Sequence, residues 1–334
     1  MNYIGSKRSL IPFLKAVIED VVGTDLHEKV FCDIFAGTGI VGSTFKPQVK
    51  KVIANDWEYY SYVLNRNYIG NHLEMADKGD WLAKLNQLEG VEDGFIYKNY
   101  CKGSDSGRQY FSDENGKRID AIRIQIERWR KSKEISEDLY FFLLASLIES
   151  ADKLANTTSV YGAFLKQLKK TANKPLIITP AVYSVNENTH EVYCQDANSL
   201  VKNIEGDILY LDPPYNSRQY GANYHLLNTI AEYKDFAPRG KTGLRDYLRS
   251  SYCGKKTVLP AFESLIKNSN FKYIILSYNN EGLMTLKDVE SVMSRYGHYD
   301  YVSQEYQRYR ADKENMRNHK ADHTVEYLHI LEKV

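Results

Sequence analysis

The sequence predicts an α/β protein with a mostly parallel sheet, interrupted by a long helical insert. Three observations carry this. Short apolar runs alternate with helical patterns over residues 1–70 and again from 190 onward, as parallel pairing requires. A Gly-x-Gly turn follows the first apolar run, where a strand hands over to a helix. Between 71 and 189 the strand-like patterning fades and polar, helical spacing takes over.

At 334 residues the chain has room for one large domain or two modest ones. Hydrophobic residues make up 43% and charged residues 26%, ordinary values that predict a real core. The net charge of +1 argues against a polybasic, non-specific nucleic-acid binder and leaves a local basic face open. Cys32, Cys101, Cys194 and Cys253 are widely spaced with no Cys-x-x-Cys, so free thiols in a reducing compartment are expected, with no zinc site. The charged N-terminus lacks an apolar signal core, and no apolar run nears the roughly 18–20 residues that cross a bilayer. A cytoplasmic protein with no membrane contact is the expectation. The 27 tyrosines suit wet, base-stacking surfaces as well as core positions.

Residues 1–22 begin NYIGSKR and continue as an amphipathic helix, with Leu10, Phe13, Leu14, Val17, Ile18 and Val21 at three- and four-residue spacing. The Gly5-Ser6-Lys7 turn reads either as a helix cap or as a place where Lys7 meets a ligand carboxylate. In KVFCDIFAGTGIVGSTF (29–45) a buried strand over 30–35 leads to Gly37 and Gly39, then to a helix in which Gly42 allows close packing. Such a turn can be no more than a strand–helix connection. The following strand, KKVIAND, ends at Asp56, close to the ~20 residues expected between a glycine turn and an acidic residue that holds a ribose diol. An adenosine-type ligand follows; a dinucleotide and S-adenosylmethionine both fit.

A helix is expected over 58–69. In the insert, 112–131 starts at a Ser/Asp cap and carries Ile119, Ile122, Ile126 and Trp129 on one face, with Arg123, Arg128, Arg130 and Lys131 opposite. Residues 136–156 form a buried helix capped by Ser136, and 164–174 a basic amphipathic segment. The sheet resumes at Val192-Tyr193-Cys194, with Asp196 just beyond. The run Ile208–Leu211 is the next strand. A helix is expected at 224–233. From 234 to 256 come Lys234, Arg239, Lys241, Arg245, Arg249, Lys255 and Lys256 against only Asp235 and Asp246, the strongest basic stretch in the chain. A helix at 260–269, a strand at 273–277, a helix at 291–296 and strands at 301–306 and 325–331 complete roughly seven strands. The last two lack an intervening helix and read as an antiparallel hairpin.

The chemistry centres on Asp212-Pro213-Pro214-Tyr215. Proline cannot donate to a sheet ladder, so the prolines end the preceding strand and leave a rigid loop past its C-terminal end. Ligands bind there in open α/β sheets. The loop offers a carboxylate, a carbonyl and a flat ring, which suit a planar group bearing –NH2: two acceptors for the hydrogens and a face to stack on. Read as structure alone, it is a strand-ending turn.

With FAGTG before it and YIGSK at the N-terminus, the chain resembles the DNA adenine-N6 methyltransferases, specifically the Dam-like, D12-class group in which DPPY lies in the C-terminal half. The resemblance covers most of the chain outside 71–189. It implies a Rossmann-like, seven-stranded class I methyltransferase sheet over 1–70 and 190–334, with 71–189 as an inserted target-recognition region. It implies S-adenosylmethionine as methyl donor and no metal. Tyr3 and Lys7 match the motif at the cofactor's amino-acid end. Phe35, Ala36, Gly37 and Gly39 match the motif lining its methionine part. Asp56 matches the ribose ligand and Asp196 the residue that recognises its adenine ring. Asp212, Pro213, Pro214 and Tyr215 match the catalytic loop, with Asp212 also beside the cofactor. The implied partner is double-stranded DNA, in a type II restriction–modification setting with a cognate endonuclease encoded nearby. Arg108, Tyr110, Arg123, Arg239, Lys241 and Arg245, from basic and aromatic stretches, are the candidates for DNA contact. His225 and His319 read as structural or surface histidines.

Other planar nitrogens remain alternatives: RNA adenine, cytosine N4 or a protein glutamine. Cytosine-N4 enzymes tend to carry Ser, and glutamine enzymes Asn, where this chain has Asp212. A DNA-binding subunit without activity is disfavoured by the intact loop, and a nicotinamide dehydrogenase by DPPY and the lack of a paired catalytic His/Lys.

Overall fold

A computed structural model describes residues 7–307 and 323–334. The chain divides into two compact units. Among the described residues, one comprises 7–57, 188–219, 249–307 and 323–334 and holds the sheet; the other comprises Glu58–Glu187 with Tyr220–Leu248 and is helical. The helical unit thus takes in more than 71–189: the helix Tyr59–Asn65 and the segment after the Asp-Pro-Pro-Tyr loop belong to it as well.

The sheet has seven strands: β1 (Val30–Asp33), β2 (Lys51–Asn55), β3 (Glu191–Tyr193), β4 (Glu205–Leu211), β5 (Asn270–Asn279), β6 (Gly297–Gln307) and β7 (His323–Lys333). Their order is β3-β2-β1-β4-β5-β7-β6. β1 to β5 pair in parallel, and β7 is antiparallel to both β5 and β6. All seven expected strands are present, as is the terminal hairpin. The central strands are apolar almost throughout because both faces are covered. Cys32, Ile53, Leu209, Leu211, Ile274 and Leu276 pack with Phe262, Leu265, Ile266, Val289 and Met293 of the helices Val258–Asn268 and Leu286–Met293. Phe31 stacks on Phe45 at 4.5 Å between centroids. The second of these helices starts earlier than 291 because Thr285 and Asp288 form a reciprocal capping box.

The order reverses between β1 and β4, since the chain runs outward from β1 through β2 to β3 and then returns to β1's other side. Such a switch point opens a crevice at the strands' C-terminal ends. Asn55, almost fully buried at the end of β2, ties these ends together. Its carboxamide donates to the carbonyls of Ile34 (3.0 Å) and Gln195 (3.1 Å) and accepts from the Gln195 N–H (3.0 Å).

In the helical unit, Asp113–Lys131 and Glu137–Leu154 are the long helices, capped by Ser112 and Ser136. The second is apolar on nearly every side and forms the centre of that core. The expected basic amphipathic segment is not a helix beyond the short turn Lys170–Asn173. It opens a strap whose backbone is satisfied by side chains. Asn115 bonds Ala172, Lys174 and Leu176; Asn86 bonds both backbone groups of Ile178; Ser146 accepts from Ala181.

Candidate active site

Strand β4 ends at Leu211, and Asp212 to Tyr215 follow as irregular chain at the sheet's C-terminal edge. The Asp212 side chain is 17% exposed. Its Oδ1 receives two donors: the Lys7 ammonium at 3.1 Å and the Tyr215 hydroxyl at 3.0 Å. Its Oδ2 makes no hydrogen bond with any described residue. Burial pushes the Asp212 carboxyl up to about 7; Lys7 pulls it down and the charge of Glu326 pushes it up. The ring of Tyr215 is half-buried, with the Lys7 ammonium 4.6 Å above its centroid and the edge of Tyr278 against it at 5.5 Å.

The loop is braced by the turn after β5. Leu283 N–H donates to the Tyr215 carbonyl at 2.9 Å, and the Tyr278 hydroxyl accepts from the N–H groups of Leu283 and Met284. Gly282 lies on the Tyr278 ring: a Cβ there would sit 2.1 Å from Cε1.

Lys7 is 4% exposed. Besides Asp212 it meets Glu326 of β7, at 3.0 Å to Oε1, and the Ser277 hydroxyl donates to that same oxygen. Sequence reasoning missed Glu326, because nothing local distinguishes a glutamate in a strand-like run. It also missed Asp33, a fully buried carboxyl at the end of β1. Burial and the charges of Asp212 and Asp56 push Asp33 up to about 8, against the pull of the Gly42 N–H, which donates to Oδ2 at 3.2 Å.

The cofactor candidates gather at the same edge. Gly37 (φ 53°) and Gly39 (φ 78°) occupy the left-handed region, which explains glycine at both. Gly37 N–H donates to Asp56 Oδ2 at 2.9 Å, so the glycine turn and the end of β2 are joined. Phe35 packs edge-on against Tyr252, 5.0 Å between centroids. Asp196 is exposed beyond β3 and caps the turn Ala197–Leu200, its Oδ1 accepting from Ser199 N–H and Oγ–H. Tyr252 reaches the same turn through Asn198. Tyr3 lies outside the described residues, as do the rest of NYIGS and His319.

These residues fit S-adenosylmethionine by their chemistry. A close-approach glycine turn, a carboxylate for the ribose diol, flat apolar walls and a surplus of negative charge around Lys7 suit an adenosyl group bearing a sulfonium. Among the described residues no cluster of three or more His, Cys, Asp or Glu could hold a metal ion.

Two of the DNA-contact candidates, Tyr110 and Arg123, are interior. Tyr110 is fully buried, its hydroxyl donating to the carbonyls of Tyr161 and Thr242. Arg123 is 3% exposed, and its guanidinium donates to the carbonyls of Ile230 and Ala231 and to Glu127. It caps the C-terminal end of the helix His225–Glu232, a stabilising place for a cation. Arg108 is half-buried, bonding the carbonyls of Asn99 and Gly240. Arg245 pairs with Glu232 at 2.9 Å and lies over Phe236. Arg239, which pairs with Asp246, and Lys241 are exposed. His225 is fully buried, and burial holds it down to about 4, so it is a neutral structural histidine. Among the described residues no helix is long and apolar enough to cross a membrane.

Comparison with known proteins gives the family. A family model described as D12 class N6 adenine-specific DNA methyltransferase matches residues 3–292. The Type II methyltransferase M.NlaIII of Neisseria lactamica is 63% identical over 333 residues, covering 100% of this chain and 99% of that protein. M.CviAII of Paramecium bursaria Chlorella virus 1 is 38% identical, covering 93% of each. M.FokI of Planomicrobium okeanokoites is 39% identical, covering all of this chain and 53% of that longer protein.

Proposed function

The chain belongs to the D12 class of N6 adenine-specific DNA methyltransferases, and on that premise we propose how its residues carry the reaction. The methyl donor is S-adenosylmethionine, held by Phe35, Ala36, Gly37, Gly39, Asp56 and Asp196, with Tyr3 and Lys7 toward its amino-acid end. When bound, the sulfonium supplies a methyl carbon electrophilic enough to need neither a metal nor a covalent nucleophile.

Adenine within a duplex cannot bring its amino group to such a donor, so the base is flipped out. Tyr215 stacks on it. Asp212 Oδ2 and the Pro213 carbonyl accept the two N6 hydrogens, which localises the nitrogen lone pair and aims it at the methyl carbon. Asp212 then takes up the proton that N6 sheds. Holding two reactants in line in this way supplies on the order of 7–11 kcal/mol in favourable cases. The observation that carries the reading is the division of labour at Asp212, with Oδ1 held by Lys7 and Tyr215 and Oδ2 left without a partner among the described residues. Arg239 and Lys241 contact phosphate. The protein acts in the cytoplasm as the modification enzyme of a type II restriction–modification pair, with the cognate endonuclease encoded nearby.

Transfer of tritiated methyl groups to DNA tests this. Wild-type protein deposits label as N6-methyladenine, in a sequence context that methylation-sensitive sequencing reports. Asp212→Ala, folded as judged by circular dichroism, loses at least about 100-fold in rate. Undiminished labelling by that variant overturns the assignment of the loop.

A further inference from the structure

We infer that Glu326 is a positioning residue of the methyl-transfer reaction: from β7 it anchors the Lys7 ammonium, so that Lys7 and Tyr215 hold Asp212 Oδ1 and leave Oδ2 to the substrate's amino group. The inference rests on the role proposed for Asp212. Glu326 lies outside the 3–292 stretch that the family model matches.

A buried ammonium needs one carboxylate, and Lys7 has Asp212 at 3.1 Å. A second, fully buried carboxylate at 3.0 Å is not needed for neutrality and is costly to desolvate. Without it, Asp212 is the one carboxylate left on the Lys7 ammonium among the described residues, and a flexible four-carbon chain does not define an atom's place from one ionic contact. With it, the ammonium is held from two sides.

Glu326 is itself well fixed. The Ser277 hydroxyl donates to Oε1, the oxygen that also receives Lys7. Ser277 is on β5, and β7 runs antiparallel beside it, with Asn279 opposite Glu326. Asn280 then locks the neighbouring backbone, donating its N–H to the Val325 carbonyl and accepting the Val325 N–H on Oδ1. The end of β5 also supplies Tyr278, which braces Tyr215. The two outer strands therefore support both the acid and the ring of the catalytic loop.

The free oxygen makes the idea testable. Glu326 Oε2 is buried and has no hydrogen-bond partner among the described residues. Glu326→Gln can keep its carbonyl oxygen on Lys7 and Ser277 and put the amide nitrogen where Oε2 was, so it removes the charge and retains the contacts. Glu326→Ala removes the anchor as well.

Single-turnover methyl transfer with saturating S-adenosylmethionine and DNA is measured for both, beside Asp212→Ala. Folded Glu326→Ala loses roughly tenfold or more in rate at saturating cofactor, with the DNA dissociation constant within about threefold of wild type. In Glu326→Gln the acid limb of the rate–pH profile moves to lower pH, because a negative neighbour of Asp212 is gone. A folded Glu326→Ala at wild-type rate overturns the inference. If that variant does not fold, Glu326→Gln decides: a displaced limb supports the inference and an unmoved limb overturns it. Asp212→Ala at wild-type rate shows instead that the loop assignment has failed. An inactive Asp212→Ala with wild-type Glu326 variants sinks the present inference alone.

Discussion

A carboxylate that accepts hydrogens from an amino group works only when ionised. Asp212 is pushed up to about 7, chiefly by burial, so it keeps its proton through mildly acidic pH in the free enzyme. A raised pKa means that the competent form is gained as pH rises. The expected kcat/KM profile therefore climbs between about pH 6 and 8, with an acid limb near 7. A limb near 4, where an ordinary aspartate titrates, would count against Asp212 as the acceptor. Gly282 gives a second test at this scale. Its Cβ would meet the Tyr278 ring at 2.1 Å, and that ring supports Tyr215. Gly282→Ala should cost about 1–3 kcal/mol in urea unfolding and lower the single-turnover rate, through displacement of an aromatic neighbour. An unchanged rate would show that Tyr215 does not depend on Tyr278.

At the scale of elements, the helix Asp113–Lys131 shows how a charged face misleads. Its pattern puts Ile119, Ile122, Ile126 and Trp129 on one side and its arginines on the other, which reads as a solvated basic face. Ser112 caps it as the sequence suggests. Yet Arg123 is interior, because it satisfies carbonyls at the end of a helix 107 residues later. Arg123→Ala leaves those carbonyls unpaired and should cost about 3 kcal/mol of stability. It should leave the slope of log affinity against log salt unchanged for DNA. Lys241→Ala should instead lower that slope by about 1 with little loss of stability, as expected for a phosphate contact. The reverse pattern, measured by fluorescence anisotropy across a salt series, would exchange the two assignments. The strap over 172–181 is a related case. Its backbone is satisfied by Asn115, Asn86 and Ser146 from distant helices, so no local period reveals it.

At the scale of the whole molecule, the sheet order sets where chemistry can occur. β1 and β4 are neighbours although about 175 residues separate them, and their adjacent ends bring FAGTG and DPPY to one edge. That much was open to a sequence reader. Seven apolar runs, a glycine turn with Asp56 19 residues beyond Gly37, and an Asp-Pro-Pro-Tyr after a buried strand determine the fold class, and they carry the proposals for the ligand and for the reacting loop. Each is a local signal, set by backbone preferences or by the period of burial along one segment. What only the tertiary structure decided is which polar groups face each other across long separations. Lys7 meets Glu326 over 319 residues, Asn55 meets Gln195 over 140, and Tyr110 and Arg123 turn inward. The physical reason is that a charged or amide side chain has no preferred neighbour until burial removes water and leaves it to find a partner, and the partner is chosen by how the strands and helices pack.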